Sequence, residues 1–186
     1  MSVHATLAVS MFRHHRQMLP NDVLMLEMGD QVRKYAYRRR LPHYQKADWP
    51  IFVTFCKLTK TPFPPPARDI VLRHCLHHNT VKLQAHALVV MPEHVHLLMT
   101  VLRDQDGWPF ELHKILKAIK GASARSVNKT LGVEGPVWQD ESFDHVVRSW
   151  ESMRDNVEYM RQNPVRRGLV ETPEDYPWLW VDEQNF

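Results

Sequence analysis

Two β-type runs separated by only three residues constrain this chain more than any other feature of its sequence. The runs cover 81–90 and 94–102, and Met91-Pro92-Glu93 lies between them. Two strand-like runs with so short a connection predict a β-hairpin, because a parallel crossover would need many more residues. These two strands are therefore expected to be antiparallel neighbours in one sheet.

The remaining elements alternate between strand and helix. The β-branched and aromatic segment after Pro50 predicts a strand, and the four prolines of 61–66 predict a loop. Apolar spacing predicts two crossover helices, the second ending at Gly132 as a C-cap glycine. A last helix is expected to end before Pro164, because a proline drives the preceding residue out of the helical region. In chain order, we expect these elements at 51–56 (strand), 67–79 (helix), 110–131 (helix), 142–147 (strand) and 150–163 (helix).

The resulting order, β-α-β-β-α-β followed by a C-terminal helix, predicts an α+β fold. Strands separated by crossover helices around a central hairpin are typical of a ferredoxin-like (RRM-like) sheet with helices on one face. A length of 186 residues suits one such domain with an extension. The first 40 residues are rich in Met and Arg and lack clean periodicity, so we expect them to be that extension.

Composition excludes several classes of protein. A hydrophobic fraction of 44% and a charged fraction of 24% are ordinary for a globular domain and argue against a disordered chain or a fibre. No apolar run is long enough to span a bilayer, and the N-terminus lacks a signal-peptide pattern. Cys56 and Cys75 form neither a zinc motif nor a disulfide framework. The expected setting is the reducing cytoplasm, without membrane association.

The small net charge of +3 is an average over stretches of opposite sign. Residues 31–46 carry six basic side chains and no acid, and residues 113–129 carry five and no acid. Residues 171–186 carry five acids and no base. Clustered cations are typical of nucleic-acid binding, although any single basic run is more often a solvated helix face. Two such runs shift the balance modestly towards a nucleic-acid partner.

The second hairpin strand opens with two histidines in alternate positions. Side chains alternate along a strand, so His94 and His96 are expected on the same face, with Val95 on the other. Two imidazoles on one face can chelate a divalent metal. With 12 histidines in the chain, however, chance alone supplies about 0.8 His-x-His triplets, so a solvent-facing or hydrogen-bonded pair is the alternative.

The last helix offers partners for this pair. Tyr159 and Asn163 are four residues apart and therefore share one helix face. The asparagine carbonyl could complete a two-histidine metal site, with the tyrosine hydroxyl one turn away. Such a metal would polarise a phosphodiester while the phenolate attacks phosphorus and forms a phosphotyrosine. From spacing alone, a packing tyrosine and an asparagine that ends the helix explain the pattern equally well.

Several segments resemble the HUH-type single-tyrosine transposases, which process single-stranded DNA. VVMPEHVHLLM (89–99) is similar to the histidine motif of that family, and EYMRQNPVRRGLV (158–170) is similar to its nucleophile motif. KAIKGASARSVNK (117–129) and VWQDESFDHVV (137–147) resemble the connecting helix and strand, in the same order. YRRRLPHY (37–44) resembles the REP-associated tyrosine transposase branch, which is linked to repeated palindromic sequences in bacterial genomes.

The resemblance implies three segments and a set of site residues. Residues 37–178 would form the transposase/nuclease domain, after an N-terminal extension of unknown role (1–36) and before an acidic tail (179–186). The positions that match the family's metal ligands are His94, His96 and Asn163. Tyr159 matches its catalytic tyrosine. The implied cofactor is Mg²⁺ or Mn²⁺, and imidazole ligands suit Mn²⁺ the better of the two.

The implied activity is cleavage and rejoining of single-stranded DNA at repeated palindromes through a 5′-phosphotyrosine intermediate. The expected partners are single-stranded DNA or DNA hairpins. The protein itself is expected to be a monomer or a homodimer, located in the bacterial cytoplasm and associated with the nucleoid. The alternatives are a non-catalytic hairpin-binding protein on the same fold, and a metallohydrolase with a water nucleophile. Cations expected to contact DNA are Arg38, Arg39, Arg40, Lys114, Lys117, Lys120, Arg125, Arg166 and Arg167.

Three residues depart from the family pattern. Glu93 stands where many relatives carry Asn, and Arg161 and Arg167 stand where smaller or neutral residues are common. Because Glu93 precedes the metal ligands, we expect it to take no part in the chemistry. The two arginines could tighten contacts with phosphates.

Overall fold

A five-stranded antiparallel sheet forms the centre of the structure. The computed structural model describes residues 48–183, all of which belong to one compact unit. The strands lie in the order β4-β1-β3-β2-β5, and the first four have the order of a ferredoxin-like sheet, which confirms the predicted fold class. Their bounds are β1 Pro50–Cys56, β2 Leu83–Val90, β3 His94–Val101, β4 Phe143–Val146 and β5 Leu179–Val181.

Helices cover both faces of this sheet. The crossover helices α1 (Pro65–Leu76) and α2 (Leu112–Leu131) pack on one face and bury a large apolar cluster there. Helix α3 (Trp150–Arg166) packs on the opposite face and buries a smaller cluster around Phe52 and Met160. The sequence predicted the crossover helices on one face but did not predict which face the last helix covers.

Strand alternation decides which residues meet which helices. In β1, Val53 and Phe55 face α1 and α2, whereas Phe52 faces α3. In β3, Val95 and Leu97 likewise face the crossover helices. The two histidines of β3 consequently point to the face that α3 covers.

Proline explains two of the helix boundaries that differ from the prediction. Helix α1 begins at Pro65, inside the segment predicted as a loop, because proline is tolerated in the first turn of a helix, where its missing N–H has no partner to lose. Helix α3 continues past Pro164 to Arg166. A proline so close to the end removes one ladder hydrogen bond, and the Asn163 carbonyl still accepts the Arg167 N–H at 3.1 Å. Helix α1 also ends at Leu76, three residues before its predicted end.

The fifth strand was not predicted. Leu179–Val181 pairs antiparallel with Val89–Ala87 of β2, within the stretch that the sequence suggested as an acidic tail. Three residues carry no readable periodicity, so only the open edge of β2 makes them a strand. The expected extension and the start of the domain lie outside the described residues. Within residues 48–183, no helix combines the length and the apolar character that crossing a membrane requires.

Removal of β5 is expected to destabilise the domain. Deleting residues 179–186 should lower the free energy of unfolding by roughly 2–4 kcal/mol, since three half-buried apolar side chains and an edge pairing are lost. Urea denaturation measures the change. Deleting only 184–186, which leaves β5 in place, is the control, and equal stability of the two truncated chains would contradict a structural role for the strand.

Candidate active site

The two histidines of β3 lie side by side beneath α3. The Nε2 atoms of His94 and His96 are 3.1 Å apart, and their ring centroids are 4.6 Å apart. Both side chains are buried, with 6% and 2% of their surface exposed. The pair therefore presents two converging ring nitrogens inside the protein, as the alternation of the strand predicted.

A threonine on the neighbouring strand fixes the orientation of one ring. Thr54 lies directly opposite His96 in the β1–β3 pairing, and its Oγ1 is 2.8 Å from His96 Nδ1. In the tautomer that carries its proton on Nδ1, the imidazole donates this hydrogen to the hydroxyl and Nε2 keeps the lone pair that binds a metal. Thr54 was not predicted, because the residues of one strand do not indicate which residue of another strand will lie opposite them.

Burial keeps both imidazoles neutral. It lowers the pKa of His94 to about 4, with a smaller contribution from the charge of Arg167. It also lowers the pKa of His96 well below the ordinary value, with further contributions from His94 and Arg166. At neutral pH neither ring has to lose a proton before it can bind a cation.

Helix α3 brings the predicted tyrosine to the histidine pair. The ring centroid of Tyr159 is 5.6 Å from that of His96, and Phe52 contacts both rings from β1, at 6.3 and 5.2 Å. Tyr159 is only partly buried, so it is reachable from solvent. Asn163, one turn further along α3, is buried with 7% of its surface exposed. The structure thus places the predicted tyrosine beside the predicted histidines.

The two histidines have no further His, Cys, Asp or Glu side chain grouped with them as a third metal ligand among the described residues. Residues 48–183 contain no cluster of three or more His, Cys, Asp or Glu side chains that could hold a metal ion. The two imidazoles nevertheless suit a divalent cation, because ligands at right angles on an ion about 2.1 Å away stand about 3.0 Å apart. Asn163 is the buried oxygen donor that the sequence singled out for the third position.

Two arginines at the end of α3 flank this group. The guanidinium of Arg166 lies 4.5 Å from the ring centroid of Tyr159 and donates to the Tyr159 carbonyl at 3.2 Å. Arg167 donates to the Glu93 carboxylate at 3.2 Å. Two of the departures from the family pattern, Glu93 and Arg167, therefore contact each other.

The other cations predicted to contact DNA are not part of this site. Lys114, Lys117 and Arg125 are exposed on α2, across the sheet from the histidines. Lys120 is half-buried and donates to the Asp140 carbonyl at 2.9 Å, which gives it a structural contact. Arg38, Arg39 and Arg40 lie outside the described residues.

The fold and the site define a class: ferredoxin-like domains in which a histidine pair on a central strand meets one tyrosine on a C-terminal helix. No protein-family model matches the chain. Two curated proteins do: a REP-associated tyrosine transposase of Escherichia coli, 28% identical over 95 residues, and a Haemophilus influenzae protein that carries the same family name, 25% identical over 97 residues. These matches cover 51% and 50% of this chain, and 52% and 55% of the relatives.

A solved structure shares the fold. It is a REP-associated tyrosine transposase bound to a REP hairpin, with a TM-score of 0.60 and 24% identity, covering 78% of this chain and 81% of that one. Both curated matches thus carry the family name that the sequence resembles, and the chain is similar to the REP-associated tyrosine transposases. It spans about half the length of the curated relatives that it matches.

The neutral histidines are expected to make stability depend on pH. An unfolded histidine has a pKa of about 6.5, whereas that of folded His94 is about 4, so the unfolded chain binds more protons between these values. Stability should therefore be complete above pH 6.5 and fall as the pH drops towards 4. His94 alone should contribute a loss of roughly 2–3 kcal/mol between pH 7 and pH 4.5.

Urea denaturation at a series of pH values measures this loss. His94→Gln should flatten the curve in that window, because the substituted side chain does not titrate. His113→Gln changes an exposed histidine and serves as the control. A His94→Gln curve as steep as that of the wild type would contradict the assignment.

Proposed function

We propose that this protein is a metal-dependent enzyme that cleaves and rejoins single-stranded DNA beside hairpins formed by repeated palindromes. The observation that carries the proposal is the contact of Tyr159 with the histidine pair, since the His96 ring centroid is 5.6 Å from that of the tyrosine. A nucleophile and a cation site at this separation can act on one phosphodiester together. Similarity to relatives that are named for a tyrosine supports this role.

His94, His96 and Asn163 would hold the cation, Mn²⁺ or Mg²⁺. The spacing of the two Nε2 atoms and the neutral state of both rings support this donor set. When bound, the cation would withdraw electron density from the scissile phosphate and balance the charge that develops on it. Thr54 would keep the His96 ring turned towards the cation.

Tyr159 would supply the nucleophile. Its hydroxyl oxygen attacks phosphorus and loses its proton, and the bond from phosphorus to the 3′ oxygen of the preceding nucleotide breaks. That 3′ oxygen takes up a proton, so the products are a 5′-phosphotyrosine and a free 3′ hydroxyl. One phosphodiester bond is exchanged for another, and the reverse reaction with a new 3′ hydroxyl rejoins DNA without an external energy source.

Arg166 is placed to assist this exchange. Its guanidinium contacts both the ring and the carbonyl of Tyr159, so its charge is held at the nucleophile. A planar cation there can receive the non-bridging oxygens of the phosphate as charge develops on them. The same position restrains the tyrosine ring, because it packs between Phe52 and Arg166.

DNA hairpins are the proposed partner, as in the solved family member that is bound to a REP hairpin. The exposed cations on α2 would contact phosphates away from the site, and such contacts position the DNA without reading its sequence. The bases beside the hairpin would be recognised by stacking and by contacts to their edges.

Tyr159→Phe is expected to abolish the covalent product while DNA binding survives. Purified protein is incubated with Mn²⁺ or Mg²⁺ and a labelled hairpin, including its single-stranded flank, from a palindrome of its own genome. The wild type should yield an adduct that resists denaturation, and the variant none, because phenylalanine lacks the attacking oxygen. Tyr176→Phe is the matched control, since Tyr176 packs on the same sheet face but hydrogen-bonds to the Val90 carbonyl.

Other outcomes identify the alternative functions. Hairpin binding that a chelator leaves unchanged, together with no cleavage by any chain, would indicate a non-catalytic hairpin-binding protein. Cleavage that persists in Tyr159→Phe, without an adduct, would indicate a metallohydrolase with a water nucleophile. Either outcome would overturn the tyrosine mechanism.

Thr54→Val is expected to weaken metal binding by roughly 10- to 100-fold, because the His96 ring loses the partner that orients it. Titration calorimetry with Mn²⁺ measures the change. Thr100→Val is the matched control, because Thr100 holds a different histidine, His86, through a hydroxyl contact of the same length, 2.8 Å. Equal effects of the two substitutions would show that Thr54 acts only through stability.

A further inference from the structure

An ion pair joins the strand that carries the histidines to the helix that carries the tyrosine. Glu93 is the last residue of the hairpin turn, immediately before His94, and Arg167 caps the C-terminus of α3. The Arg167 Nη2 and Glu93 Oε2 atoms are 3.2 Å apart, although 74 residues separate them along the chain. The pair therefore bridges the two elements whose meeting creates the site.

This ion pair lies next to the histidines and is accessible from solvent. Glu93 is covalently joined to His94, so the Arg167 guanidinium that contacts its carboxylate is held near the strand end that carries the buried imidazole. Half of the Arg167 side-chain surface and a third of the Glu93 surface are exposed. A ligand that approaches His94 from solvent consequently meets both charges.

The ion pair between Arg167 and Glu93 is expected to contribute little to the stability of the fold. An ion pair this exposed adds little to folding, because water screens it and two side chains must be ordered. A cation at the C-terminus of a helix is already favoured by the helix dipole. Arg167 would therefore remain in place if the carboxylate were exchanged for another anion.

A phosphate is the natural competitor for this guanidinium. Carboxylate and phosphate oxygens accept the same forked N–H donors, and a phosphodiester carries a negative charge at neutral pH. A DNA strand whose scissile phosphate lies at the histidine pair carries the next phosphate only one nucleotide away. Arg167 contacts the residue that directly precedes His94, so it is the cation placed to receive that neighbouring phosphate.

We propose that Glu93 is a displaceable stand-in for a DNA phosphate: it occupies Arg167 in the free protein and gives it up when the strand enters the site. This inference rests on the proposed function, since it requires DNA at the histidine pair. Arg167 is then a phosphate-binding residue, and Glu93 is an inhibitory carboxylate that weakens binding to any strand that does not reach Arg167.

The direction in which Glu93→Gln changes DNA affinity distinguishes this role from a structural one. Glu93→Gln should tighten binding of a labelled DNA hairpin with a single-stranded flank by about 3- to 10-fold, because Arg167 no longer has to exchange partners. Arg167→Gln should weaken it by a similar factor. In the Arg167→Gln background, Glu93→Gln should change binding less than about 2-fold. Affinities are measured in a chelator, so that no cleavage occurs.

The salt dependence provides a second readout. Arg167→Gln should reduce the slope of log affinity against log salt concentration by about 0.7–0.9, the value expected for one lost phosphate contact. Glu174→Gln is the matched control, because Glu174 also pairs with an arginine of α3, Arg161, but is not placed beside the histidines. This control should leave affinity and slope unchanged.

The possible failures are distinguishable. If Glu93→Gln weakens binding or leaves it unchanged, the pair is a structural clamp and the inference is overturned, while the proposed function stands. If Glu93→Gln tightens binding equally with and without Arg167, the effect is general charge repulsion, and the inference is again overturned. If the wild-type chain does not bind the hairpin at all, the inference and the proposed function fail together.

Discussion

The antiparallel pairing of β1 with β3 is the constraint on which the site depends. This register sets Thr54 opposite His96, and Phe52 two residues away on the same face. A shift by one residue would turn both histidines into the cluster beneath α1 and α2, where Val95 and Leu97 now lie. The same register that buries the larger core therefore also presents the histidines to α3.

Burial gives these residues their chemical character. Imidazoles on an exposed strand would titrate near neutral pH, whereas under α3 the pKa of each lies below its ordinary value. The apolar side chains that exclude water, Phe52 and Met160 among them, also seat the tyrosine helix on the sheet. Packing and chemistry are thus coupled: a helix that moved away from the sheet would remove the tyrosine and hydrate the histidines together.

Charged side chains from the end of α3 and from the hairpin turn lie beside this site. Arg166 and Arg167 stand at the C-terminus of α3, where the helix dipole favours cations, and each acts electrostatically on one histidine. The Arg166 guanidinium contacts Tyr159, and the Arg167 guanidinium contacts the Glu93 carboxylate, which directly precedes His94. Such an arrangement suits an anionic strand, with affinity controlled by how far Glu93 neutralises Arg167.

By itself, the sequence determined the element order, the hairpin and the shared face of His94 and His96, because periodicity and turn length are local properties of the chain. Only the tertiary structure decided that α3 covers that face, that Thr54 holds His96 and that Leu179–Val181 becomes a strand. Each of these depends on which surfaces pack together, and no local pattern carries that information. Glu93 and Arg167 show this most clearly. In the sequence they are two separate departures from a family pattern, whereas in the folded structure they form an ion pair.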